Sequence, residues 1–344
     1  MHGYTDALIE EMKFRAKDVK GYTVDTVFLG GGTPTLLPIS DIKRLAEAVN
    51  TLFKVDSDAE ISVEANPASA SEQKLRALRA LGVNRLSIGV QSLSDKELAA
   101  LGRIHTAADA YSFFHAARAA GFSNVNIDLM YGIPHQTKES FLQTLDGVLS
   151  LNPEHISAYS LIVEEGTPFF EKQASLPLPD EDTEAALHEL LCERLSSHGY
   201  RHYEISNFAK QGFLSRHNLH YWRAEEYLGF GVSAYSYFGG ERWGNGKSIS
   251  AYMDAPASSV FEREALSFKT EAYENIMLRL RLDEGIDTHA YEARFGVKIK
   301  ERFSQEIARF KAQGLMEECD SRLFLTEKGM RFSNTVLVAF MEDF

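Results

Sequence analysis

Cysteine is scarce: two residues in 344, Cys192 and Cys319. They lie too far apart to suggest a disulfide framework, and neither has a second cysteine nearby to begin a metal site. Long apolar runs are also missing. No stretch approaches the ~18 residues of a membrane span, and the opening MHGYTDALIEEMKFRAKD lacks the apolar centre of a signal peptide. Positive charge is in deficit, with 36 Lys and Arg against 49 Asp and Glu and a net charge of −13. That balance argues against a nucleic-acid partner held by phosphate contacts. A cytoplasmic, soluble protein is expected. The remainder is globular in composition, 44% hydrophobic and 25% charged, and at roughly 100–200 residues per domain it holds about two domains.

Strand-like and helix-like segments alternate from the first apolar run onward. The expected strands are TVFLGG (26–31), EISVEAN (60–66), NRLSIGVQ (84–91), NVNIDLMYG (124–132) and HISAYSL (155–161). Their Val and Ile content suggests burial on both faces, and the alternation favours parallel strands with helical crossovers. Ser69 with Glu72 and Ser94 with Glu97 fit capping boxes, and Gly82 and Gly121 sit where helices should end. Several strands finish in unusual polar residues: Gly30-Gly31-Gly32-Thr33-Pro34, Glu64-Ala65-Asn66-Pro67, Gln91-Ser92 and Asp128. Polar residues at the carboxyl ends of several strands are how a βα barrel builds a site. The fold class expected is α/β, an incomplete parallel βα barrel of partial TIM type, followed by a smaller α+β region with a winged-helix-like end.

The segment LPLPDEDTEAA (176–186) marks a change of organisation. The division expected is 1–172 for the barrel, 173–260 for a second region and 261–344 for a helical, winged-helix-like domain. Within 173–260 lie a Leu-rich helix carrying Leu187, Leu190, Leu191 and Leu195, the strand-like RHYEISNF, and an aromatic, glycine-rich stretch from Tyr221 to Trp243. A wing often contacts DNA, but the acidity of the chain favours packing.

Three consecutive glycines permit close backbone approach to a ligand or simply a tight turn. No Lys-Ser/Thr follows them to complete a phosphate loop. In order along the chain, GGGTP (30–34), EANP (64–67), GVQS (89–92), GRIH (102–105) and IDLMYGIP (127–134) resemble the radical S-adenosylmethionine (SAM) superfamily. The likeness is to its branch related to oxygen-independent coproporphyrinogen III oxidase. HISAYSLIVEEGTPF (155–169) and HNLHYW (217–222) extend it to nearly the whole chain. The second is similar to the HNxxYW heme-binding motif of that branch's heme chaperones.

The resemblance implies SAM at Gly31, Gly32 and Thr33, with Glu64, Gln91, Arg103 and Asp128 also in contact. Carboxylates suit ribose hydroxyls and an ammonium, and a guanidinium suits a carboxylate. It implies heme at His217, Asn218 and Tyr221, with His217 as the iron ligand and His220 as its competitor. The superfamily holds a [4Fe-4S] cluster through CxxxCxxC, which this sequence does not contain, and Cys192 and Cys319 cannot assemble three ligands. Cluster binding and radical chemistry by this chain alone are therefore not expected. The family's first barrel strand would also be missing, leaving an edge to be covered. Retention of Glu64, Gln91, Arg103 and Asp128 favours a chain begun at an internal methionine over a natural variant without the cluster.

The function expected is a heme chaperone transferring heme to an acceptor protein, more a carrier than an enzyme, with no nucleic-acid partner and no membrane span. The alternatives are a coproporphyrinogen III oxidase, disfavoured by the missing cysteines, and a degenerate docking protein. For Trp222, packing is expected ahead of porphyrin contact.

Overall fold

The computed structural model describes residues 2–67, 69–172 and 176–342. Its largest element is a seven-stranded sheet. β1 (Val24–Leu29), β2 (Val55–Ala65), β3 (Arg85–Gln91), β4 (Val125–Tyr131) and β5 (His155–Ser160) lie side by side in chain order, all parallel. The hairpin of β6 (Arg201–Glu204) and β7 (Asn207–Ala209) then adds antiparallel to β5, giving the order β1-β2-β3-β4-β5-β7-β6. A partial, open βα barrel results.

The central strands are buried on both faces, as their Val and Ile content suggests, but only one of the two faces is apolar. Side chains alternate along a strand with period two. Val63, Leu86, Ile88, Ile127, Leu129 and Ile156 face the crossover helices and share one core with Leu75, Phe113, Phe114, Phe141 and Leu145. At the intervening positions stand Thr26, Glu60, Ser62, Glu64, Arg85, Ser87, Asn126, Asp128, His155 and Ser157. One face is oily and the other polar, as a barrel with a ligand-sized interior requires.

Helix ends also differ from expectation. Ser71, not Ser69, caps the helix Glu72–Ala80 by accepting from the Lys74 amide. Ser69 instead closes the turn after β2 through the Asn66 backbone, 2.6 Å away. Ser94 does precede the helix Asp95–Ala100, but its side chain makes no cap. Glu97 is buried and accepts from Ser92 Oγ and Ser140 Oγ, each at 2.6 Å. Capping boxes do form at Thr106–Asp109 and Thr137–Ser140. Gly82 and Gly121 end their helices with φ of +97° and +92°.

The barrel core runs on past residue 172. Residues 173–175, where the second region was expected to begin, lie outside the described residues. The helix Glu181–Ser197 nevertheless sends Leu187, Leu191, Cys192 and Leu195 into the same core, with Tyr200 and Phe208. A hairpin that extends the barrel sheet must share its packing.

Beyond it, β8 (Tyr235–Phe238), β9 (Glu241–Asn245) and β10 (Val260–Ala265) form an antiparallel sheet in the order β10-β9-β8. The last part has its own core, including Ile276, Tyr291, Phe303, Phe310 and Phe340. Here β11 (Ile286–Asp287), β12 (Met316–Cys319) and β13 (Arg322–Leu325) pair in the order β11-β13-β12, with the β12–β13 hairpin after a run of helices. That arrangement is winged-helix-like. Among the described residues no helix is long and apolar enough to cross a membrane.

Candidate functional site

The strand ends turn their polar residues toward one cavity of about 420 Å³, lined among others by Phe28, Glu64, Arg85, Gln91, Asp128 and Asn218. At its rim is the glycine loop after β1. Gly31 and Gly32 have φ of +83° and +65°, where a side chain is strained, and nothing occupies the space a Cβ would enter. The Gly31 amide donates to Glu64 Oε2 at 2.9 Å, and Thr33 Oγ1 accepts from Asn66 Nδ2 at 2.8 Å. Gly30 is small for another reason: a Cβ there would stand 2.4 Å from the Phe28 ring.

Gln91 closes β3 with φ of +69°, at a register irregularity against β4. A non-glycine residue held there is unusual and is often found at a site. A Cβ on Gly89 would sit 2.9 Å from Asn66 Oδ1 and 3.6 Å from Arg103 Nη2, so Arg103 reaches the same rim. Arg103 makes no ion pair among the described residues, and burial lowers its pKa against the nearby charge of Asp128. Burial raises Glu64, helped by Asp128 and opposed by the Gly31 amide. Burial likewise raises Asp128, against hydrogen bonds from Asn126, Ser157 and Ser87 and the positive charge of Arg85. Two carboxylates raised by burial and a half-buried guanidinium without an ion pair among the described residues bring charges of both signs to one rim.

The second group converges on the same wall. The helix Arg216–Trp222 docks at the sheet edge because Glu60 of β2 accepts from the Arg216 and His217 amides, at 3.2 and 3.1 Å. A carboxylate at a helix N-terminus satisfies free amides and complements the dipole. His217 then stacks on Phe28, ring centres 4.9 Å apart and planes at 15°. Its Nδ1 lies 2.9 Å from Thr26 Oγ1 and its Nε2 2.8 Å from Tyr221 Oη. Burial pushes its pKa down to about 4, with His220 and Arg85 acting in the same direction. The ring is a neutral imidazole. Asn218 reaches the cavity, Tyr221 is 39% exposed, and Trp222 packs with Tyr203, Leu219 and Leu282.

His220 differs in kind. Its ring bridges Glu225 Oε2 at 2.5 Å and Asp25 Oδ2 at 3.0 Å, and these carboxylates raise its pKa. A cation held by two anions has no lone pair to offer iron.

Sequence reasoning missed the layer beneath. Asn126 Nδ2 donates to Asp128 Oδ1 and Ser87 Oγ, both at 2.7 Å, so Asn126 Oδ1 accepts from His155 Nδ1 at 2.6 Å. His155 Nε2 then accepts from the Tyr203 hydroxyl at 2.8 Å, whose oxygen receives the Ser215 amide at 3.3 Å. Ser215 caps the helix that carries His217. The period-two polar pattern in β4 and β5 was the available signal.

The radical SAM superfamily pattern matches residues 3–148, and that of the HemN C-terminal domain matches residues 266–332. The chain is 37% identical to the heme chaperone HemW of Bacillus subtilis (strain 168), over 99% of this chain and 91% of that one. It is 32% identical to the heme chaperone HemW of Escherichia coli (strain K12), over 99% and 90%. The solved structure of coproporphyrinogen III oxidase (HemN) from Escherichia coli, a radical SAM enzyme, superposes with a TM-score of 0.85 at 27% identity, covering 98% of this chain and 82% of that one. The chain belongs to the HemW heme chaperone family.

Proposed function

We propose that this chain binds heme as cargo and passes it to an acceptor protein, acting as a carrier and not as an enzyme, in the cytoplasm. The observation that carries the reading is His217: a neutral imidazole stacked on Phe28, a residue that lines the polar cavity, in a chain of the HemW family. Neutral imidazole is the form that ligates iron. With both ring nitrogens of His220 held by carboxylates, His217 is the better ligand of the two.

SAM fits the rim. The open space beside Gly31 and Gly32 admits a methionyl end, Arg103 suits its carboxylate, and Glu64 and Asp128 would lose their desolvation penalty to its positive charge. Gln91 and Thr33 complete that set. Bound there, SAM supplies a sulfonium that a reduced cluster can cleave. Cys192 and Cys319 do not suit a cluster: one is buried in the helix Glu181–Ser197 and the other is exposed on β12.

Hemin titration by absorption, run beside His217→Ala, tests the reading. Wild type should give a saturable band that the variant loses, and matching titrations would remove His217 from the role. The likeness to HemN favours a second reading, an oxidase of coproporphyrinogen III. Turnover of that porphyrinogen by the chain with SAM and reductant would support it over the carrier.

A further inference from the structure

Arg85 opens β3 on the cavity side and is 2% exposed. Its guanidinium makes no ion pair and no side-chain hydrogen bond among the described residues, and Nε is buried without a partner. Arginine cannot shed its proton, and an unpaired buried charge is strongly unfavourable. Such a group, aimed into a cavity, is complete only with an anion. Of the carboxylates that share the cavity, Glu64 and Asp128, neither forms an ion pair or hydrogen bond with it among the described residues, and Asp128 attracts it only through space.

Strand register fixes its depth. Phe28 lies opposite Ser62, and Ser62 opposite Arg85, so these three form one rung across β1, β2 and β3. His217 stacks on Phe28 and therefore flanks that rung. Glu64, which binds the glycine-loop amide, lies farther toward the carboxyl ends. Gln91 ends the strand that Arg85 begins, ~20 Å away at ~3.3 Å per residue. Arg85 thus lies on the rung of Phe28, on which His217 stacks, and below the strand ends that hold Glu64 and Gln91.

We propose that Arg85 is a carboxylate-binding residue for the ligand that occupies the barrel beside His217, receiving a propionate of the porphyrin. The inference rests on the reading of His217 as the heme site. A propionate entering this cavity meets Glu64 and Asp128, which repel it, and Arg85 is the lining cation that offsets them. A planar guanidinium matches a carboxylate with two parallel hydrogen bonds. The amino-acid end of an S-adenosyl ligand carries the same group. The rung shared with Phe28, beside His217, favours the porphyrin.

The test compares hemin with hemin dimethyl ester, in which both propionates are blocked, on wild type, Arg85→Gln and Arg85→Lys. Wild type should bind hemin about 10- to 100-fold more tightly than the ester, the range of one charge-assisted hydrogen-bond pair. Arg85→Gln should bind the two alike, and Arg85→Lys should keep part of the preference. Equal binding of hemin and ester by wild type, or a preference that survives in Arg85→Gln, overturns the proposal. The wild-type comparison decides the matter even if Arg85→Gln does not fold, which urea unfolding reports. If wild type binds neither porphyrin, the heme reading fails first. S-adenosylhomocysteine and its decarboxylated analogue then replace the pair: a carboxylate preference lost in Arg85→Gln keeps Arg85 as the anchor and assigns it to the S-adenosyl ligand, and no preference overturns it.

Discussion

His155 Nε2 and the Tyr203 hydroxyl lie 2.8 Å apart, both fully buried, and join the barrel interior to the segment that carries His217. The chain of donors is unidirectional. Asn126 can accept only through Oδ1, so His155 must carry its proton on Nδ1 and accept from Tyr203. Burial holds the pKa of His155 well below the usual histidine value, which keeps that tautomer in place.

Replacing His155 with Phe should therefore destabilise the fold, by about 1–3 kcal/mol for the orphaned Tyr203 hydroxyl. Urea unfolding measures the loss. Faster amide exchange at Ser215 to Asn218 should accompany it, because the Ser215 amide gives its proton to Tyr203.

The clamp of His220 between Asp25 and Glu225 predicts a pH dependence. Its folded pKa is raised, so its contribution is fully present below the unfolded value of ~6.5 and is lost as pH rises through the folded value. The stability difference between wild type and His220→Ala should be larger at pH 6 than at pH 9. The heme band should persist in His220→Ala, and its loss there would transfer the ligand role from His217.

Tyr221 occupies His217 Nε2, so in this conformation the tyrosine competes with iron. Tyr221→Phe should tighten hemin binding roughly three- to tenfold, the worth of one neutral hydrogen bond. Equal or weaker affinity would show that the hydroxyl is no competitor.

Glu204 is 1% exposed, with Oε2 unpartnered, and burial raises its pKa to about 7 despite the hydrogen bond from Asn207. A raised carboxyl favours folding while protonated. Its penalty appears as pH climbs from ~4.3 toward 7 and is complete above that. Glu204→Gln should gain on the order of 3–4 kcal/mol at pH 8 and almost nothing at pH 4, read from denaturant midpoints.

Much of the barrel was legible because parallel βα units announce themselves: short Val- and Ile-rich runs, each with a polar ending, separated by helices. The five expected strands overlap β1 to β5, and Glu64, Gln91, Asp128 and Asn218 do share one cavity. Two things were not legible. The inward residues Thr26, Glu60, Arg85, Asn126 and His155 follow a two-residue period that apolar content obscures. Contacts between distant residues leave no local trace either, and Glu60 meets the His217 amide across 157 positions. The helix Glu181–Ser197 reads as the start of a new region because Pro and acid precede it, yet its leucines finish the barrel core.

Phe28 lines the cavity and stacks on His217. A ring common to both ties the glycine-loop site to the imidazole. If a guest at the glycine loop displaces the ring, it changes the free energy of the guest at the imidazole, and thermodynamic reciprocity requires the same factor in return. Under that condition loading at the glycine loop is reported at the imidazole by a single aromatic ring.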